Sequence, residues 1–299
     1  MKISYRLILR FTLIICTFVV LYTLYTNNFS IQNYAEPIYK LVIVVIFKNE
    51  AVAMKEWLQH YVNQGVEHFY MINNGSTDNW EPEIEGFPVT IYNDDEEGIQ
   101  IEHYNNYCLE IVKNNAKWVM VVDLDEFMYV RKGFKTIPDY LDSLQNNIGE
   151  VRVKFKMFGS NGHVKQPKSI IKGFTKRKLS NHKGPDKTIG QKTCDTINNQ
   201  VKSIVLVSKL NKFDIHKHNL KLSSRVITLP ESTLESDLNN QPLHLNHYWT
   251  QSLDWFRKHK IKRGDVASKS HSQNRYTEKS FRSRDWNDVV DTELSNMTP

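Results

Sequence analysis

Two uninterrupted apolar runs, Leu41-Val42-Ile43-Val44-Val45-Ile46-Phe47 and Trp118-Val119-Met120-Val121-Val122, stand out from an otherwise mixed chain. A run without polar alternation has no face to offer water. Each therefore predicts a strand buried on both sides, as in a covered, largely parallel sheet. Both runs end abruptly in polar groups, Lys48-Asn49-Glu50 after the first and Asp123-Leu124-Asp125-Glu126 after the second. Between them, residues 68–73 and 89–92 predict shorter strands. Residues 52–64 predict a helix, with Trp57, Leu58, Tyr61 and Val62 at helical spacing and Gly65 as its stop, and residues 101–114 predict another. The order strand, helix, strand, strand, helix, strand predicts a doubly wound α/β sheet. Its polar loops converge on the crevice at the carboxyl ends of the strands, where such sheets bind ligands.

The pattern changes after residue 148. Val151-Arg152-Val153-Lys154-Phe155-Lys156-Met157-Phe158 alternates with period two, which predicts a half-exposed strand. A basic, loop-rich segment follows over 159–202, then strands over 201–210 and 225–229 with His216-Lys217-His218 between them. Leu253, Phe256 and Ile261 predict an amphipathic helix from Ser252 onward, and residues 265–299 read as a polar tail. At the other end, residues 7–25 are apolar except for Arg10 and follow Lys2 and Arg6. That predicts a transmembrane signal anchor with residues 1–6 in the cytoplasm, a stem over 26–40 and a catalytic portion over 41–264 on the far side, the topology of a single-pass type II membrane protein. The absence of small residues after the run argues against a cleaved signal peptide. In a eukaryotic cell this topology belongs to the Golgi and secretory pathway, and Asn28-Phe29-Ser30 and Asn296-Met297-Thr298 are sequons compatible with it.

Composition changes this picture little. The 299 residues carry a net charge of +6, with Lys and Arg concentrated after residues 165 and 257, which fits an anionic substrate or a membrane surface. No nucleic-acid-binding module is present. The three cysteines, Cys16, Cys108 and Cys194, allow at most one disulfide outside the apolar N-terminus and leave the compartment open.

The candidate chemistry lies at the strand ends. Asp123 and Asp125 alternate at the exposed carboxyl end of a buried strand, where two hard oxygen ligands suit a divalent cation and the cation suits a diphosphate. Neither a Gly-x-Gly-x-x-Gly turn nor a Walker sequence follows any strand, which excludes a dinucleotide oxidoreductase and a P-loop enzyme. A cap for the next helix is the bland alternative for the acids, and a plain turn for Asn74-Gly75-Ser76-Thr77-Asp78.

Six separated motifs occur together: Phe47-Lys48-Asn49-Glu50 with Glu56-Trp57-Leu58; Asn74 to Asp78; Trp118 to Phe127; Phe158-Gly159-Ser160-Asn161-Gly162-His163; Val201-Lys202-Ser203-Ile204; and Leu245-Asn246-His247-Tyr248-Trp249 with Ser252 and residues 260–264. In this order the chain resembles glycosyltransferase family 92 and related family-2-like glycosyltransferases of the GT-A fold. The resemblance implies a metal-dependent transferase, with Mn²⁺ or another divalent cation, moving galactose or a related hexose from a nucleotide sugar to a glycan or glycoconjugate acceptor. UDP-linked donors and inversion are the first expectations. It implies Asp123, Asp125 and His247 as metal ligands, with His216 as the alternative histidine. Asn49, Glu50, Asp78, Asn106, Lys202 and Arg263 are implied to bind the nucleotide sugar. Glu126, Asp186 and Asp195 are the candidates for the catalytic base, Glu126 alternatively orienting the metal ligands. Two other classes stay open at this point: a membrane-anchored carbohydrate-binding protein without catalysis, and a metal-dependent hydrolase.

Overall fold

The computed structural model describes Thr17 and residues 36–179, 200–232, 234–262 and 276–298. The chain divides into Met1–Pro37 and Ile38–Pro299, and the second unit holds the sheet. The expected membrane anchor and most of the stem lie outside the described residues. Among the described residues, no helix is long and apolar enough to cross a membrane.

The first apolar run forms β1 (Tyr39–Phe47), followed by α1 (Ala51–Asn63), β2 (His68–Asn73) and β3 (Val89–Asn93). The chain then makes α2 (Gln100–His103), a π-helical turn Tyr104–Cys108 and α3 (Leu109–Asn115) before β4 (Ala116–Val121). β1 to β4 run parallel in the order β3-β2-β1-β4. The alternate residues of β1 divide between two cores. Leu41, Ile43, Val45 and Phe47 pack with Trp57, Leu58 and Tyr61 of α1 on one face, whereas Val42, Val44 and Ile46 pack with Tyr104, Cys108 and Val112 on the other. Burial on both faces is what an unbroken apolar run demands. Cys108 is a buried free thiol, and Cys194 lies outside the described residues.

Past β4 the sheet becomes mixed. The later strands are β5 (Glu126–Val130), β6 (Ile148–Met157), β7 (Lys176–Arg177), β8 (Val201–Leu206), β9 (Leu210–Lys212), β10 (Asn219–Leu220), β11 (Arg225–Leu229), β12 (Leu243–His247) and β13 (Val289–Val290). β8 lies antiparallel between β4 and β6, β12 runs parallel to β6, and β5 closes antiparallel on β12. These directions bring eight strand termini to one end of the sheet: the ends of β1 to β4, β6 and β12, and the starts of β8 and β5.

Two expectations need correction. β6 is buried almost throughout, Arg152 alone being half-buried, because its polar positions are covered by protein rather than water. Lys156 is 1% exposed and reaches Asp291 at 2.9 Å, while Lys154 donates to the Glu231 and Ser232 carbonyls. Residues 276–298 are likewise not a loose tail. They form two short helices, Glu278–Arg284 and Glu293–Met297, with β13 between them, and bury Phe281, Trp286 and Leu294. Gly159 makes this docking possible, since a Cβ there would lie 2.2 Å from the Trp286 carbonyl. Beside it, Ser160 donates through its backbone N and its hydroxyl to the Asp285 carboxylate, and the Asn161 N donates to Asn287 Oδ1. The Phe158 to His163 motif is thus a seat for the C-terminal segment.

Candidate active site

β4 stops at Val121, so the acidic cluster sits on the turn between β4 and β5 rather than on the strand itself. The turn is held from behind by α1. Trp57 Nε1 donates to the carbonyls of Asp123 (3.0 Å) and Glu126 (3.1 Å), and Tyr61 Oη donates to that of Glu126 (3.0 Å). Within the turn, the Asp123 N donates to Glu126 Oε2 at 2.9 Å. From the other side the Tyr248 N donates to the Asp125 carbonyl at 2.8 Å.

The three acids have different surroundings. The Asp123 side chain is 40% exposed and pairs with Lys202 Nζ at 3.0 Å. Lys202, at the start of β8, is completely buried and also lies 3.5 Å from Glu126 Oε2. Burial opposes the Lys202 ammonium, but Asp123 and Glu126 outweigh it and hold its pKa well above the ordinary lysine range. Asp125 is 7% exposed and receives Lys260 Nζ at 2.8 Å, with His247 Nε2 at 3.4 Å from its other oxygen. Burial pushes the Asp125 carboxyl up, yet Lys260 and His247 bring it far below the usual carboxylate range. Glu126 is fully enclosed, and burial raises it despite Lys202.

Asp125, Glu126 and His247 each bring a ligand atom within 4.8 Å of the others. The cross-strand register explains this, because His247 on β12 lies directly opposite Glu126 on β5. Glu126 Oε1 and His247 Nδ1 face each other at 3.9 Å, both buried without a hydrogen-bond partner. Two carboxylate oxygens and an imidazole suit a divalent cation of the manganese or zinc type. Of the expected set Asp123, Asp125 and His247, the structure brings Asp125 and His247 together with Glu126, while the Asp123 carboxylate turns to Lys202. An enclosed Glu126 also has no open side from which to reach an acceptor hydroxyl. His216 stands nearby, its ring against Phe155 at 6.4 Å and its Nδ1 3.1 Å from the Val201 carbonyl. Phe155 packs more closely on His247, at 4.6 Å.

The loops after β1 and β2 are tied together. Asn49, with φ of 56°, accepts at Oδ1 from the Thr77 and Asp78 backbone N–H groups at 2.6 and 3.2 Å. Asp78 Oδ2 accepts from the Ala51 N at 2.9 Å and so caps α1 from outside, leaving Oδ1 buried without a partner. Asn49 is thereby occupied in joining two loops, whereas Asp78 keeps an unused oxygen. Glu50 is buried beside them. Asn106 is exposed on the π-helical turn, whereas the neighbouring Tyr104 is buried towards Lys202 and Asp123. Asp186, Asp195 and Arg263 lie outside the described residues. Lys260 was named only within a motif, and its contact with Asp125 has no signal in the sequence because 135 positions separate the two.

The sequence model of glycosyltransferase family 92 matches residues 91–297. A glycosyltransferase family 92 protein of Oryza sativa subsp. japonica is 24% identical over 159 residues, 49% of this chain and 26% of the relative. One from Arabidopsis thaliana is 26% identical over 156 residues, 48% of this chain and 27% of the relative. The matched part thus spans about a quarter of the length of these relatives. Among solved structures, S. aureus TarS 1-349 superposes with a TM-score of 0.38 at 14% identity, covering 64% of this chain and 58% of that one. Glucosyl-3-phosphoglycerate synthase from Mycobacterium tuberculosis, in complex with Mn²⁺, UDP and glucosyl-3-phosphoglycerate, gives 0.26 at 13% identity, covering 40% and 44%. The acids on the β4–β5 turn, the lysine at the start of β8 and the histidine at the end of β12 all fall within the matched residues, and this chain belongs to glycosyltransferase family 92.

Proposed function

We propose that this chain is a metal-dependent glycosyltransferase that moves a hexosyl group, galactose or a close relative, from a UDP-linked donor to a hydroxyl of a glycan acceptor with inversion. The observation that carries this reading is the buried meeting of Asp125, Glu126 and His247, flanked by Lys202 and Lys260, at the common end of the sheet. A divalent cation held by that triad would neutralise the charge developing on the leaving diphosphate. The chain's own residues do the rest. Asp78, with its unused Oδ1, lies at the end of the crevice proposed to take the base, and Asn49 fixes the loop that carries it. Lys202 keeps Asp123 and Glu126 in place by pairing with both carboxylates. Asp186 and Asp195 remain candidates for the base that accepts the proton of the acceptor hydroxyl, opposite the leaving group. Residues 7–25 would anchor the enzyme as a type II membrane protein, which protease digestion of intact vesicles tests directly.

The experiment for the function is donor hydrolysis and transfer with a panel of nucleotide sugars and Mn²⁺. Asp125→Asn keeps the shape of the buried side chain while removing its charge, and the turnover number is expected to fall by about 10²–10³-fold. Titration with UDP, GDP and CDP should show UDP bound most tightly, because a pocket that hydrogen-bonds one base leaves polar groups unpaired with another. Equal affinity for the three, or an Asp125→Asn variant as active as the parent, would overturn the reading.

A further inference from the structure

Two lysines neutralise the acidic turn, and they are built differently. Lys202 is 0% exposed, rises from the interior of the sheet and lies between two carboxylates, so removing it would strand charge in the core. Lys260 is 12% exposed, pairs with Asp125 and comes from a π-helical turn, Arg257–Ile261, that follows a short helix, Leu253–Phe256. Its ammonium also lies 5.6 Å from the Trp249 ring centroid and 5.4 Å from that of Trp255. Two aromatic faces therefore attract it independently of Asp125. Short π-helical segments are often found at functional sites, where they re-aim a side chain. The carboxylate that Lys260 occupies is one of the three ligands that would hold the cation.

We infer that Lys260 is a built-in counter-cation of Asp125, which keeps the metal site closed to a free divalent ion and yields it when a diphosphate arrives to take up the ammonium. This rests on the transferase reading for the identity of the diphosphate. Lys260 holds Asp125 Oδ2 while Oδ1 faces His247, and an ammonium on one oxygen takes up the carboxylate's charge and repels a divalent ion on the other, so metal binding competes with the lysine. The apparent metal affinity falls in proportion to the fraction of molecules in which Lys260 sits on Asp125. A diphosphate changes that balance because it offers the displaced ammonium new oxygen partners and brings further ligands to the metal. Metal and nucleotide should then bind with positive coupling, each tightening the other by the same factor. Trp249 and Trp255 hold the displaced ammonium near the site rather than releasing it to solvent.

The test is Mn²⁺ binding to the full-length protein, followed by the electron spin resonance of free Mn²⁺, with and without UDP. The parent is expected to bind Mn²⁺ weakly alone and at least about tenfold more tightly with UDP. Lys260→Met should bind Mn²⁺ alone at least about tenfold more tightly than the parent and gain less from UDP. Lys260→Arg, which keeps the cation, should stay close to the parent. Should methionine beside Asp125 prevent folding, Lys260→Gln keeps a hydrogen-bond donor without the charge and is read in the same way. In thermal unfolding, the neutral variant should melt below the parent in chelator and gain more from Mn²⁺. A neutral variant with the parent's Mn²⁺ affinity, in a protein whose Mn²⁺ binding is still tightened by UDP, overturns the role of Lys260 and leaves the transferase reading standing. Failure of parent and variants alike to bind Mn²⁺ with or without UDP overturns both.

Discussion

Trp57 shows how a residue remote from the chemistry can set its geometry. A single indole N–H is shared between the Asp123 and Glu126 carbonyls, and the Tyr61 hydroxyl adds a second donor to Glu126 while accepting from the Met128 N at 2.9 Å. The acidic turn is thus bolted to α1 through its backbone, which leaves its carboxylates available to cations. Trp57→Phe preserves most of the apolar contact with Phe69 and Tyr61 and deletes only the donor. It should cost about 1–3 kcal/mol in urea unfolding, the penalty for stranding a buried acceptor. As a positioning residue it should also weaken Mn²⁺ binding in the presence of UDP. Lost stability with unaltered Mn²⁺ affinity would reduce Trp57 to a packing residue.

At the scale of elements, α1 and β5 meet through a histidine. His60 Nε2 donates to the Met128 carbonyl at 2.8 Å, and burial, only partly offset by that bond, draws the His60 pKa down to about 4. A histidine whose folded pKa lies below its unfolded value of about 6.5 is neutral when folded, and the unfolded chain takes up the proton first as pH falls. The stability it protects is therefore complete above pH 6.5 and is lost progressively between pH 6.5 and 4. For His60 alone the loss from pH 7.5 to 5 is about 2 kcal/mol. His218, at about 3, and His244, at about 4, add to the same acid sensitivity. His60→Gln keeps a donor for Met128 and cannot titrate, so its urea midpoint should change less over this interval than the parent's. Parallel pH profiles would mean that the α1–β5 contact opens before the histidine charges.

On the scale of the whole molecule, the C-terminal segment is locked on by buried charge. Asp291 accepts from both Lys156 (2.9 Å) and Arg177 (2.6 Å), and Arg177 also pairs with Glu235. Burial opposes the Asp291 charge, but these two cations bring its pKa down to about 2, while the same burial draws Lys156 down. Glu293 extends the network to Arg131 and His244. Asp291→Asn leaves two cations short of an anion in the interior and should cost about 3–5 kcal/mol in chemical denaturation, with faster proteolysis of residues 276–298. A cost below about 1 kcal/mol, as at an exposed ion pair, would mean that the segment is only loosely applied.

What was legible in the sequence follows from period and chemistry. The unbroken run from Leu41 to Phe47 could only be a strand covered on both faces, and the acids of the β4–β5 turn and His247 carry chemistry at any distance. The misreadings share one cause. The Lys154 and Lys156 alternation looks half-exposed until Asp291 and the Glu231 and Ser232 carbonyls cover it, and residues 276–298 look like tail until Gly159 admits the Trp286 carbonyl. That Asn49 ties two loops together is likewise invisible in the sequence, and Lys260 reaches Asp125 only once the strands have curled round. Local sequence determined which segments are strands and helices, because burial pattern and backbone preference act over a few residues. Tertiary structure alone decided which buried charges neutralise one another, because an ion pair depends on distance through space and is silent about separation along the chain.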